Sequence, residues 1–142
     1  MRLVADTNTL VSASLWQGPS ARLLEAVASG KAELVLSPDL LAEFASVIAR
    51  PKFVDRITAQ RTTADQLAQK LAEKVTVVAP ATLAVPPELR DPEDLPVLAC
   101  ALAADAEAIV SGDQDLLTMG AFQGIPILTA REALRKVGVE RG

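Results

Sequence analysis

The groups with which this chain could do chemistry are acidic. Asp6 follows the apolar run RLVA (residues 2–5) with no turn residue between them, and it is trailed by Thr7, Asn8 and Thr9 before apolar residues return at Leu10 and Val11. Asp113 stands at the end of a second apolar run, EAIVS (107–111), across Gly112. Glu43 and Asp94 sit inside helical patterns. A carboxylate carried into an apolar interior is costly unless something pairs with it. Carboxylates that converge with no imidazole or thiolate favour a hard cation with oxygen ligands, Mg²⁺ or Mn²⁺.

What the chain lacks sharpens this reading. It has no histidine and no tyrosine, and Cys100 is its only cysteine. Ser-His-Asp and Cys-His catalysis are excluded, as are imidazole zinc sites, a tyrosyl nucleophile, thiolate metal clusters and an intrachain disulfide. No Walker loop and no glycine-rich dinucleotide loop is visible. A net charge of −4 argues against a generic polyanion binder. The length, 142 residues, fits one domain spanning 1–142, and half the residues are hydrophobic, enough for a sizeable core. No apolar run approaches the roughly 18 residues of a membrane span, and Asp6 and Asn8 interrupt the N-terminal apolar run, so no signal peptide is expected. A cytoplasmic protein without membrane attachment is the expectation.

The acids need elements to position them. Short apolar runs at 2–5, 32–36, 75–79, 107–111 and 125–129 read as strands covered on both faces. Between them lie helical patterns: GPSARLLEAVASG, SPDLLAEFASVIARP, the polar-faced stretch 58–74, DPEDLPVLACALAADA and AREALRKVG. The alternation predicts a three-layer α/β/α sandwich around a central, mainly parallel five-stranded sheet. Crossovers should be right-handed, and ligands should bind outside the carboxyl ends of the strands. Asp6 and Asp113 then share one sheet edge. In the helix from Pro38 the apolar stripe is Leu40, Leu41, Phe44, Val47 and Ile48, with Glu43 at its border. In the helix beginning near Pro92, Asp94 lies on the same face as Val97, Leu98, Ala101 and Leu102. The proline-rich stretch 79–94 is the expected flexible segment.

Each acid also has an ordinary structural reading. Asp6 could cap the following helix, Asp94 could be the third helical residue after an Asp91 cap, Glu43 could be a surface helix charge, and Asp113 could cap QDLLTMG. Four acids directed to one edge are harder to explain this way than any one of them.

The ordered set VADTNTLVSA, Glu43 after the second strand, and RDPEDLPVLACALAADAEAIVSGDQDLL resembles the PIN domain, in particular the toxin components of bacterial toxin–antitoxin pairs of the VapC type. The resemblance covers nearly the whole chain. It implies a metal-dependent endoribonuclease acting on single-stranded RNA, with Asp6, Glu43, Asp94 and Asp113 as the acidic quartet. Asp6, Asp94 and Asp113 are then the metal ligands, and Asn8 and Ser111 the supporting polar residues. Ser111 departs mildly from the more usual threonine, and Asp91 and Asp115 flank the third and fourth acids and could assist them. An antitoxin protein and a homodimer are the implied partners, with the helices near Trp16 and Leu23 as one contact surface. Arg50, Lys52, Arg56 and Arg61, clustered around Pro51, could line a groove for the RNA backbone, or form a solvated surface with Asp55 and Asp65.

Two other readings remain. A haloacid-dehalogenase-type phosphatase begins D-x-D-x-T-L, but here Asn8 occupies the place of the second Asp and cannot act as a general acid. A non-catalytic PIN-like binding module would be favoured by a broken quartet, and this one is intact.

Overall fold

The computed structural model describes residues 1–138. β1 (Arg2–Ala5) leads into α1 (Thr7–Leu15) and α2 (Pro19–Ala28). β2 (Glu33–Leu36) is followed by α3 (Pro38–Ile48), a 3-10 turn (Pro51–Phe53), α4 (Val54–Ala59), α5 (Ala64–Lys74) and β3 (Val75–Val77). After an irregular segment come a second 3-10 turn (Pro92–Asp94), α6 (Leu95–Ala104), β4 (Ala108–Val110), α7 (Gln114–Met119), β5 (Ala121–Phe122), β6 (Ile125–Leu128) and α8 (Ala130–Val137).

The strands form one sheet in the order β3-β2-β1-β4-β6-β5, parallel except for the β5–β6 pair. Successive side chains in a strand point to opposite faces, and both Leu3 and Val4 are fully buried, so helices must cover both sides. Leu3, Ala5, Leu34 and Val110 face Leu10 of α1 and Leu23, Leu24 and Val27 of α2. α6 packs against β1, β2 and β4. It is apolar almost all round, with Val97, Leu98, Ala99, Cys100, Ala101 and Ala104 buried. Its small residues let it lie close to the sheet, and the Cys100 thiol donates to the Val35 carbonyl at 3.8 Å. Burial pushes that thiol up to about 11.

The expected α/β/α architecture is present, with two corrections. The sheet has six strands rather than five. The extra strand, β5, is two residues long and returns into β6 through Gln123 and Gly124, both at positive φ (47° and 82°). That is the backbone of a tight hairpin turn, but a pair of residues offers no periodicity to read. The helical stretch 58–74 is broken as well. Arg61 turns left-handed (φ 58°), α4 ends before it, and Thr63 caps α5 by accepting the Gln66 N–H at 3.1 Å. The segment from 78 to 91 has no regular helix or strand. It is held by the Ala81 N–H on the Ala99 carbonyl (3.2 Å) and by buried Leu89.

α3 carries an acid to the site and is fixed by its apolar stripe. Leu40, Phe44, Val47 and Ile48 are buried, and the Ser37 hydroxyl caps the helix through the Leu40 N–H. Phe44 is fully buried one residue from Glu43. Phe44→Ala is expected to lower unfolding free energy by about 3–5 kcal/mol, whereas Ala42→Ser on the exposed side of the same helix should stay within about 0.5 kcal/mol. Denaturant midpoints for the two variants check this.

Candidate active site

The carboxyl ends of β1 and β4 lie side by side, Ala5 opposite Val110, and the Asp6 N–H donates to the Val110 carbonyl at 3.1 Å. Asp6 therefore leaves the sheet at its edge while still tied to the neighbouring strand. Its Oδ1 accepts the Thr9 N–H at 2.9 Å and so caps α1. Its Oδ2 accepts the hydroxyl of Ser111, the residue after β4. The Ser111 oxygen in turn accepts the Asp113 N–H at 2.9 Å, and Asp113 Oδ1 accepts the Asp115 N–H at 2.9 Å, capping α7. One hydrogen-bonded line thus runs from the first acid to the fourth. The capping readings of Asp6 and Asp113 are present, and they orient both carboxylates at this edge. Each carboxylate oxygen has two acceptor sites, so capping leaves capacity for a ligand.

Glu43 reaches the same place from α3. It is exposed, and with Asp6, Thr7, Asn8, Arg50, Glu93, Asp94 and Asp113 it lines a cleft of about 200 Å³. Asp94 ends the second 3-10 turn, which Asp91 caps by accepting the Glu93 N–H at 3.0 Å. The structure thus brings Asp6, Glu43, Asp94 and Asp113 around one cleft, with Asn8 at its rim. Asp91, Ser111 and Asp115 line the adjoining hollow of about 510 Å³, which shares Asn8 and Asp113 with the cleft. Asp115 also lies 3.9 Å from Arg90.

The four basic residues separate. Arg50 lines the acidic cleft. Lys52 lies over the Phe53 ring and Arg56 over the Trp16 ring, with ring-centroid distances of 5.0 and 5.2 Å. Arg61 stands at the left-handed break between α4 and α5. In the helical region named as a partner surface, Trp16 is 43% exposed, while the Leu23 side chain is buried on the inner side of α2.

The crowding of acids acts most strongly on Asp94. Burial, then hydrogen bonding and repulsion from Asp113, then repulsion from Asp91 and Asp6, push its carboxyl up to about 7. Its Oδ2 is buried without a hydrogen-bond partner, and so is the Thr7 hydroxyl in the same cleft. Thr7 escapes notice in the sequence because it is one more small polar residue after Asp6, and its isolation appears only when the helix is built. Among the described residues no three carboxylates gather closely enough to hold one ion. The donor set is all oxygen, which suits a hard cation, and two of the residues that line the acidic cleft, Thr7 and Asp94, each carry a buried oxygen without a hydrogen-bond partner.

A family model described as PIN domain matches residues 2–115 of the chain. No curated protein and no solved structure matches it. No helix among the described residues is long and apolar enough to cross a membrane.

The raised Asp94 carboxyl sets a pH dependence. Folded Asp94 holds its proton up to about 7, whereas an unfolded carboxyl loses it near 3.8. Between these values the folded state binds more protons, so stability falls as pH rises. The melting temperature of metal-free protein should drop from about pH 5 to pH 7, and Asp94→Asn should flatten that slope. Mg²⁺ should restore the melting temperature of the wild type at pH 7.5 more than that of Asp94→Asn. Thermal unfolding across a pH series, with and without Mg²⁺, measures all three effects.

Proposed function

The chain belongs to the PIN domain family, whose members are generally nucleases that use divalent metals, and from that premise we propose that it is a metal-dependent endoribonuclease of single-stranded RNA, the toxin of a toxin–antitoxin pair. The observation that carries the proposal is the convergence of Asp6, Glu43, Asp94 and Asp113 on one cleft, two of whose lining residues, Asp94 and Thr7, carry a buried oxygen without a hydrogen-bond partner.

Asp6, Asp94 and Asp113 are the residues that would hold Mg²⁺ or Mn²⁺. Such an ion supplies Lewis acidity to a phosphoryl oxygen and lowers the pKa of water. The chain's own groups do the rest. Ser111 fixes Asp6 and Asp113 in one orientation through its two hydrogen bonds. Glu43, the exposed acid of the cleft, orients the attacking water and takes its proton. Arg50 offers the one basic side chain of the cleft to the phosphate. Asn8, at the rim, offers an amide to the substrate.

No histidine or tyrosine is present to deprotonate a 2′-hydroxyl, and in this reading Glu43 serves water instead. Water is the nucleophile: its oxygen bonds to phosphorus, the bond from phosphorus to O3′ breaks, and the leaving oxygen takes up a proton from solvent. The products carry a 5′-phosphate and a 3′-hydroxyl.

An antitoxin whose basic side chain enters the acidic cleft would offset its repulsion and block it, and pairing of two copies into a homodimer belongs to the same proposal. Purified protein should cut single-stranded RNA with Mg²⁺ or Mn²⁺ and stop in excess chelator. Asp6→Asn should keep the fold, since Asn caps helices as well as Asp, and lose at least about a hundredfold in rate. Expression of the wild type should arrest growth and that of Asp6→Asn should not. Mass spectrometry of the fragments decides the chemistry, and 2′,3′-cyclic phosphate ends or undiminished cutting in chelator would refute it.

A further inference from the structure

Trp16, just past the end of α1, is the largest exposed apolar side chain of the described chain. It is held in place, and its surroundings are cationic. Its backbone N–H donates to the Ser12 carbonyl at 3.0 Å. The Phe53 ring meets it edge to face, centroids 6.1 Å apart at 74°. Arg56 Nε donates to the Leu15 carbonyl at 2.7 Å, and Gln60 Nε2 donates to the same oxygen at 2.9 Å. Those two bonds pin α4 against the end of α1 and set the Arg56 guanidinium 5.2 Å from the Trp16 ring centre. Lys52 stands over Phe53 in the same way. Neither cation makes an ion pair among the described residues. An open hollow of about 470 Å³ lies beside the ring, lined by Trp16, Gln17, Arg56 and Gln60.

This patch connects to the acidic cleft by two routes. Arg50, which lines the cleft, is one 3-10 turn before Phe53. α1 starts at Thr7 in the cleft and ends beside Trp16, a length of roughly 14 Å. An exposed ring with Arg56 held over it and Lys52 over the neighbouring Phe53 ring, in a chain of net charge −4, matches a ligand that alternates flat bases with negative phosphates. Such stacking is tolerant of sequence because every base has a π face. A purely apolar partner would leave both cations desolvated and unpaired.

We infer that Trp16, Phe53, Lys52 and Arg56 form a stacking platform for single-stranded RNA, holding a base a few nucleotides away from the bond that the acidic cleft cuts. The platform deepens the nuclease reading above and rests on it. Trp16 is the only tryptophan and the chain has no tyrosine, so its emission reports this surface alone.

The test uses Asp6→Asn protein, which keeps RNA intact, titrated with a short oligoadenylate. Trp16 emission should be quenched saturably, less so in high salt, and not by duplex RNA. Fluorescence anisotropy of labelled oligoadenylate should show binding weakened by about tenfold on adding Trp16→Ala. Lys52→Gln with Arg56→Gln should reduce the salt dependence. In protein with Asp6 intact, Trp16→Ala should raise KM more than it lowers kcat. Unaltered emission while labelled RNA binds, or equal affinity in Trp16→Ala, would overturn the platform and leave the nuclease standing. So would an emission shift that follows protein concentration without RNA, since a second copy would then cover the ring. Failure to bind or cut RNA at all would overturn both readings.

Discussion

Carboxylates gathered at one edge of a sheet repel one another, and the structure is arranged around holding them there. Ser111 is the hinge of that arrangement. Its hydroxyl gives its single proton to Asp6 and keeps its lone pair for the Asp113 N–H, so the first and fourth acids are fixed by one small side chain 1% exposed to solvent. Helix capping does the rest. Asp6, Asp91 and Asp113 each accept a backbone N–H at the start of a helix or 3-10 turn, where the positive end of the backbone dipoles favours negative charge. Asp94 has no such relief, and burial, together with its acidic neighbours, raises its affinity for protons. A proton on Asp94 removes one of the clustered negative charges and so lowers the repulsion among these acids.

The same physics explains why the structural and chemical roles of these acids coincide. A parallel sheet sends each strand into a helix at one edge, and an acid there can both cap the helix and face the cleft. The fold needs the cap, and the cleft needs the second lone pair of the same oxygen.

Much of this was legible in the residues. An acid at or just past the end of a strand, as at Asp6 and Asp113, is readable because a buried apolar run has no local use for a carboxylate. Glu43 was readable because its phase on α3 follows from Leu40, Phe44 and Val47, and the helix registers as expected. What escaped was set by tertiary contact. β5 exists because β6 gives it a partner, and two residues carry no pattern of their own. The break at Arg61 depends on a left-handed residue that is not glycine. The four basic residues near Pro51 look equivalent in the sequence, but only Arg50 reaches the cleft, since Arg56 is claimed by the Leu15 carbonyl.

The two outermost strands are short. β3 has three residues and β5 has two, and they terminate the sheet at opposite sides. An open sheet edge is a row of unpaired backbone groups, a template on which another chain can add a strand. Here each edge offers only a few such groups, and at one side the hairpin turns the last strand antiparallel to its neighbour. The buried central strands, all Val, Ile, Leu and Ala apart from the terminal Arg2 and Glu33, are the segments most prone to cross-β stacking if released. Placing them in the middle and leaving only stubs outside confines that hazard to the unfolded chain.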